Sequence, residues 1–304
     1  MLIGDHKQLP AVVQQQQEVS RVSDPLLLDI QLTDCRLSLF ERLLLRYEHD
    51  PAVTYMLSRQ GRMHHDIALF PNHAFYDDRL TEVPLPHQLA ALPAVTSPVS
   101  TEVSHDVTPQ TAAPAAIHPI QALLLSHRVT FIASEPPQAD TSEKINQVEA
   151  DIIAALVRHI YAIERDRFST TQTVGIIVPY RNQIATIRNT LDRFGIPQLH
   201  DITIDTVERF QGSQRRYIIY GFTISRYHQL RFLTDNVFID SNGNIVDRKL
   251  NVAMTRAQEH LLLVGNPQLL SRNVTFSRLM QFARDRQSYL QVSRDDFLAG
   301  RFNL

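Results

Sequence analysis

Residues 248–266 read RKLNVAMTRAQEHLLLVGN. The stretch ends in an apolar run, His260-Leu261-Leu262-Leu263-Val264-Gly265, short enough for a strand buried on both faces. The residues before it have helical spacing. Leu250, Ala253, Met254 and Ala257 recur at i, i+3, i+4 and i+7 and predict one apolar stripe. Arg248, Asn251, Thr255 and Arg256 fall on the other side. A packed helix running into a buried strand gives Arg256 little freedom, which suits a guanidinium that must meet a phosphate in one pose.

The residues upstream repeat this pattern. Val174-Gly-Ile-Ile-Val178 reads as a buried strand, and Pro179-Tyr-Arg-Asn-Gln183 opens a helix that buries Ile184, Ile187 and Leu191. Residues 129–133, 202–207 and 217–222 read as further strands. Residues 146–165 predict a long amphipathic helix with Ile145, Val148, Ile152, Ala155, Leu156 and Ile160 along one side. This alternation after residue 125 predicts an α/β fold with a mainly parallel sheet and helices on both faces. Near the start, Leu2-Ile3 reads as the end of a strand, and residues 37–45, LSLFERLLL, as a packing helix. Residues 81–119 hold seven prolines, at 84, 86, 93, 98, 109, 114 and 119, and read as an irregular insertion or connector. Residues 227–247 look like an excursion, 277–286 a closing helix, and 291–304 a tail.

Composition narrows the function classes. At 304 residues and 43% apolar content the chain can build a sizeable core. Its net charge of −2 offers no overall basic field, so any nucleic-acid contact must come from a local patch. Cys35 is the single cysteine, which excludes a disulfide framework and a thiolate metal site. Without a membrane-length apolar run or a signal-peptide pattern, a cytoplasmic protein with no membrane partner is expected.

Five strings occur in a fixed order: GDHKQLP at 4–10, RQGRMHH at 59–65 followed by FPN and FY, VPYRNQ at 178–183, TVERFQG at 206–212, and LNVAMTRA at 250–257. In this order and spacing they resemble motifs III, IIIa, IV, V and VI of superfamily 1 helicases of the up-frameshift and Dna–Nam branch. The resemblance implies a RecA-like P-loop NTPase fold. Residues 1–50 would be a remnant of a first RecA-like domain with a connecting helix, and residues 51–290 a second one. It further implies ATP hydrolysis coupled to movement along single-stranded DNA or RNA.

The same resemblance assigns residues. Arg256 matches the arginine finger, Arg62 a second arginine that reaches the γ-phosphate, and Gln8 the γ-phosphate sensor. Asp5, Gly212 and Gln214 would approach the nucleotide. Pro179, Tyr180, Arg181, Thr206, Gln211, Asn251 and Thr255 would face nucleic acid. Arg62 and Arg256 should then lie close together on one face near Gln8. Three positions depart from the family: Gly61 replaces a tyrosine that stacks on adenine, Gln214 a glutamate at the ribose, and Arg216 an aspartate. No lysine follows a glycine, so the chain has no G-x-x-x-x-G-K-[ST] phosphate loop. ATP and Mg²⁺ are the implied cofactors. The Mg²⁺ ligands are expected in a missing N-terminal half, whose first RecA-like domain is the implied partner, and no metal site is expected here. The chain alone is expected to be inactive. A nucleic-acid-binding helicase remnant without hydrolysis is the alternative; a Rossmann-type cofactor enzyme lacks its G-x-G-x-x-G.

Overall fold

The computed structural model describes residues 1–11, 13, 15–92, 117–136 and 142–302. Its strands are β1 (Arg59–Gln60), β2 (Thr81–Glu82), β3 (Val129–Ala133), β4 (Val174–Ile177), β5 (Thr203–Asp205), β6 (Arg215–Gly221), β7 (Val237–Ile239), β8 (Ile245–Asp247), β9 (Ala257–Gly265) and β10 (Tyr289–Gln291). The helices used below are α1 (Leu39–Tyr47), α2 (His65–Phe75), α3 (Gln147–Glu164), α4 (Arg181–Asp192), α5 (Arg248–Met254), α6 (Val274–Asp285) and α7 (Arg294–Leu298).

Six strands form one sheet in the order β10-β3-β9-β6-β4-β5, and every pairing in it is parallel. β9 lies inside, with β3 and β6 on either side, which is why its sequence is an unbroken apolar run. Leu261, Leu262 and Leu263 are each 0% exposed, and burial of such side chains contributes about 1.5–3 kcal/mol apiece. Successive residues point to opposite layers. Leu261 and Leu263 join Phe131, Ile218 and residues of α2, α5 and α6 in one core, while Leu262 and Val264 join Ile132, Ile219 and residues of α3, α4 and α7 in the other.

Local chemistry sets the helix ends. Asn146 caps α3 by accepting from the Glu149 backbone N–H, and Asp247 caps α5 by accepting from Leu250. α5 stops at Met254, so Thr255 and Arg256 occupy the turn and Ala257 begins β9 instead of extending the helical stripe. The side chains make this stop. Thr255 Oγ1 donates to the Asn251 carbonyl at 2.7 Å, and Arg256 Nε to the Val252 carbonyl at 3.1 Å, satisfying last-turn oxygens that another turn of helix would have used.

Several expectations are corrected. Leu2 and Ile3 are 52% and 73% exposed and lie in no strand, because no described strand runs beside them. α1 forms but buries none of its residues, leaving Leu39 and Leu45 56% and 63% exposed. The expected tail contains the end of β10, an edge strand of the sheet, and α7, whose Phe297 is buried against the α3 layer. Much of the proline-rich insertion, residues 93–116, lies outside the described residues. Its described flanks hold β2, which pairs with β1, and Pro119–Ser126, a helix with buried Ile120, Leu123 and Leu124.

The excursion opens with short helical turns at Tyr227–Gln229 and Leu230–Leu233 and ends in a hairpin. β7 and β8 pair antiparallel around Asn242-Gly243, with Gly243 at a φ of 82°. This hairpin grips the start of the chain. Lys7 Nζ meets Asp240 at 2.7 Å, with their side chains 6% and 4% exposed. Asn244 donates to Asp77, and Ser241 to Glu48. Removing one member of a buried ion pair costs about 3–5 kcal/mol, because the other charge stays buried. Asp240→Ala is therefore expected to loosen residues 5–8, which keep their bonds to Asn251 and Tyr76, seen as faster amide hydrogen exchange at Lys7 and Gln8 while β9 stays protected. Unchanged exchange at both amides would show that the hairpin does not hold them.

Candidate functional site

Arg62 and Arg256 come from opposite ends of the chain and meet at the amino ends of β6 and β9. Arg62 Nε donates to Gln214 Oε1 at 2.9 Å, and its Nη1 to the Thr255 carbonyl at 3.1 Å. Arg256 is 2% exposed, and its Nη2 donates to Gln8 Oε1 at 2.8 Å. Burial first, then the neighbouring Arg62 charge, pulls Arg256 down to about 10, so it is still a cation at neutral pH. Two guanidiniums thus sit together with amide, backbone and Thr255 hydroxyl oxygens as their hydrogen-bond acceptors, and the Asp5 carboxylate acts on Arg256 from behind Gln8.

Each is braced from behind. The C-terminal turn of α5 holds Arg256 by its Nε, where the helix dipole favours a cation. The Arg62 backbone N–H donates to Gln60 Oε1, and its carbonyl pairs with His87 Nε2. Buried Gln88 donates to the carbonyls of Gln60 and Met63, closing that loop. Gln8 is oriented by polarity. Its Nε2 donates to Asp5 Oδ2 at 2.8 Å while its Oε1 receives Arg256, so a flipped amide would lose both bonds. Asp5 also accepts from Tyr76 Oη at 2.6 Å, and burial followed by the Asp5 charge raises that phenol far above its usual range. Gly212 lies close in sequence at a φ of 86°, and a Cβ there would meet nothing.

The residues expected to face nucleic acid divide into two groups. Pro179, Tyr180 and Arg181 follow β4 at the carboxyl ends of the strands, with Pro179 and Tyr180 half-buried and Arg181 exposed. Thr206 leaves β5 half-buried, and exposed Gln211 donates its Nε2 to the Leu9 carbonyl. Asn251 and Thr255 do not belong with them. They are 0% and 4% exposed, and no strand can reach side chains so enclosed. Asn251 Nδ2 donates to the Lys7 carbonyl at 2.8 Å and to Tyr76 Oη at 2.9 Å, while Thr255 Oγ1 serves the end of α5. The spacing puts them on the polar side of a helix, but residues 5–8 and Tyr76 pack over that side.

Arg216 is also structural. It bonds Glu164 at 2.7 Å and Glu259 at 2.8 Å, beneath a Tyr217 hydroxyl that donates to Glu164. Sequence reasoning missed Asp240, although Asn242-Gly243 between two apolar runs is a hairpin signal. It also missed Gln229 and Phe232, for which no local pattern exists.

β6 spans seven residues, so the arginine cluster and Tyr180 lie about 20 Å apart along the sheet. α5 bridges that distance. Lys249 near its start bonds the Phe232 carbonyl and Asp235 on the Tyr180 side, and Arg256 follows its end.

A carboxylate in place of the Gln214 amide would neutralise Arg62. Gln214→Glu is expected to stabilise the free chain by about 0.2–1 kcal/mol, the range for a largely exposed pair. A negative charge about 4 Å from a bound anion costs it at least ~1 kcal/mol, so tripolyphosphate affinity should fall about five- to tenfold. Thermal unfolding and calorimetric titration read both effects. An unchanged titration would place the anion away from Arg62.

The chain matches the family model described as an AAA domain over residues 35–268. It is 27% identical over 286 residues to an uncharacterized ATP-dependent helicase of Methanocaldococcus jannaschii, covering 93% of this chain and 34% of that protein. It is 26% identical to helicase sen1 of Schizosaccharomyces pombe, covering 94% and 14%, and 27% identical to regulator of nonsense transcripts 1 of Dictyostelium discoideum, covering 96% and 18%. The chain thus spans about a third or less of the length of these relatives. Since the family model covers most of its length, the chain belongs to the AAA domain family, and its relatives support a C-terminal domain of the superfamily 1 helicase type, of the up-frameshift and Sen1 branch, with a RecA-like fold.

Proposed function

We propose that this domain supplies one half of an ATP site and one grip on single-stranded nucleic acid in an ATP-driven helicase. The observation that carries the reading is the convergence of Arg62 and Arg256 beside Gln8, each bonded to a neutral amide oxygen. Two adjacent cations repel, and the arrangement gains most when an anion arrives between them. The residues present fit the phosphate end of ATP, with Gly212 leaving room for a close backbone approach. ATP, when bound, supplies the γ-phosphoryl group whose transfer to water releases the driving free energy.

Arg62 and Arg256 then hold the negative charge that grows on the transferred group, Arg256 leaving the Gln8 oxygen for it, and Gln8 turns its amide N–H from Asp5 to the phosphate. Through Asp5 and Tyr76 that exchange is felt at Asn251 inside α5. Among the described residues no group of three or more His, Cys, Asp or Glu is placed to hold a metal ion. In this proposal the Mg²⁺ ligands and the phosphate loop, which has no G-x-x-x-x-G-K-[ST] counterpart in this sequence, come from a first RecA-like domain. Exposed apolar residues in the first part of the chain, including Leu26, Ile30, Leu39 and Leu45, fit a surface that such a domain covers.

In a complete enzyme, Arg62→Ala or Arg256→Ala is expected to lower kcat by about 10³–10⁵ with little change in nucleotide affinity. Steady-state kinetics with and without single strands measures it; equal losses in kcat and affinity would remove the finger role. The helicase-remnant reading predicts instead that supplying the first domain restores no ATPase at all.

The nucleic-acid grip is tested separately. A single-strand affinity carried by phosphate contacts falls with salt by roughly 0.7 log units per log unit for each neutralised charge. Arg181→Ala should reduce that slope by about one such step in fluorescence anisotropy titrations of the chain. An unaltered slope would exclude Arg181 from the contact.

A further inference from the structure

Tyr180 is held more firmly than a backbone contact requires. Its ring stacks on Phe232, with centroids 5.1 Å apart and planes 19° from parallel. Its hydroxyl accepts from Gln229 Nε2 at 3.4 Å. Gln229 is itself 4% exposed and locked, because its Oε1 accepts from the Ser225 N–H, the Ser225 hydroxyl and the Arg226 N–H. Phe232 is fixed in turn by Lys249, whose ammonium lies 4.2 Å from the ring centroid and also bonds the Phe232 carbonyl. Tyr180 nevertheless remains half-buried, and Phe232 is 42% exposed, so the stacked pair reaches the surface.

The charges around it suit a strand of phosphates threading past. Exposed Arg181 and Arg231 adjoin Tyr180 and Phe232 in the chain, the Glu143 carboxylate is met by Arg226 and His228 at 3.1 Å each, and the Asp235 and Glu208 carboxylates are met by Lys249 at 3.0 and 3.5 Å. A rigid aromatic face beside two exposed cations is the chemistry that holds a stacked base next to its phosphate. We infer that Phe232 and Gln229 are positioning residues that turn Tyr180 into a base-stacking face, so that this domain grips a nucleobase as well as the backbone. The inference rests on the reading of residues 178–183 as a strand grip.

The full chain is titrated with a fluorescent single-stranded oligonucleotide and with the same oligonucleotide carrying a central run of abasic sugars. The unaltered chain should bind the intact strand about tenfold more tightly. Phe232→Leu keeps the apolar contact but removes the stacked ring, and is expected to abolish this preference while leaving the salt slope unchanged. Phe232→Tyr should restore the preference, which a general loss of folding could not produce. Equal affinity of the unaltered chain for both strands, with binding still sensitive to Arg181→Ala, would overturn the stacking face and leave the grip standing. Equal losses on both strands in Phe232→Leu would show a structural role only. No binding to either strand would remove the grip and the stacking face together.

Discussion

The side-chain amide of Asn251 ties together three segments that are remote in sequence. From inside α5 it donates to the Lys7 carbonyl and to the Tyr76 hydroxyl. The Lys7 bond fixes the loop that carries Gln8 and Asp5. The Tyr76 bond fixes the end of α2, just after which the chain turns back toward β2. With Asn251 fully enclosed, losing its bond to Lys7 would leave that buried carbonyl without a partner, at a cost of about 1–3 kcal/mol. The arginine cluster depends on this junction, because Gln8 reaches Arg256 only while residues 5–8 lie across α5.

The parallel sheet divides the labour. Its carboxyl ends carry Tyr180 and Arg181, and the amino ends of β6 and β9 carry Gln214 and Arg256. α5 lies between them, one end fastened to Phe232 through Lys249 and the other ending in the turn that holds Arg256. A short helix packed on both sides moves as a unit, so a shift at one end is carried to the other. On the proposed function, this is the physical link between a change at the phosphate and a change in grip.

At the two positions where the resemblance leads one to expect an acid, 214 and 216, the residues present do different work. Gln214 keeps its place beside Arg62 and supplies an amide oxygen instead of a charge. Arg216 reverses the charge and is absorbed into a network with Glu164 and Glu259 under the sheet. Gln214 sets the electrostatics of the site; Arg216 is part of the scaffold. Gly61 shows a third pattern, lying exposed with only Leu85 and Val83 near the position of a Cβ.

Much of the fold was legible in the sequence because buried parallel strands must be apolar throughout and their helices must carry one apolar stripe. Residues 129–133, 174–178 and 260–265 declared themselves in this way, and Asn146 and Asp247 mark helix starts by their chemistry. The ordered strings also pointed to Arg62, Arg256, Gln8 and Gln214, which the fold brings together. Periodicity could not say what lies over a helix. It left Asn251 and Thr255 on a polar side, and only the packing of residues 5–8 and Tyr76 made that side interior. Nor could it separate apolar residues that pack from those left exposed, as in α1, because that depends on what else stands beside them. The hairpin's hold on Lys7 and the stack of Phe232 on Tyr180 join residues far apart in the chain. Such contacts leave no period to read, since they are decided by where the sheet places each segment in space.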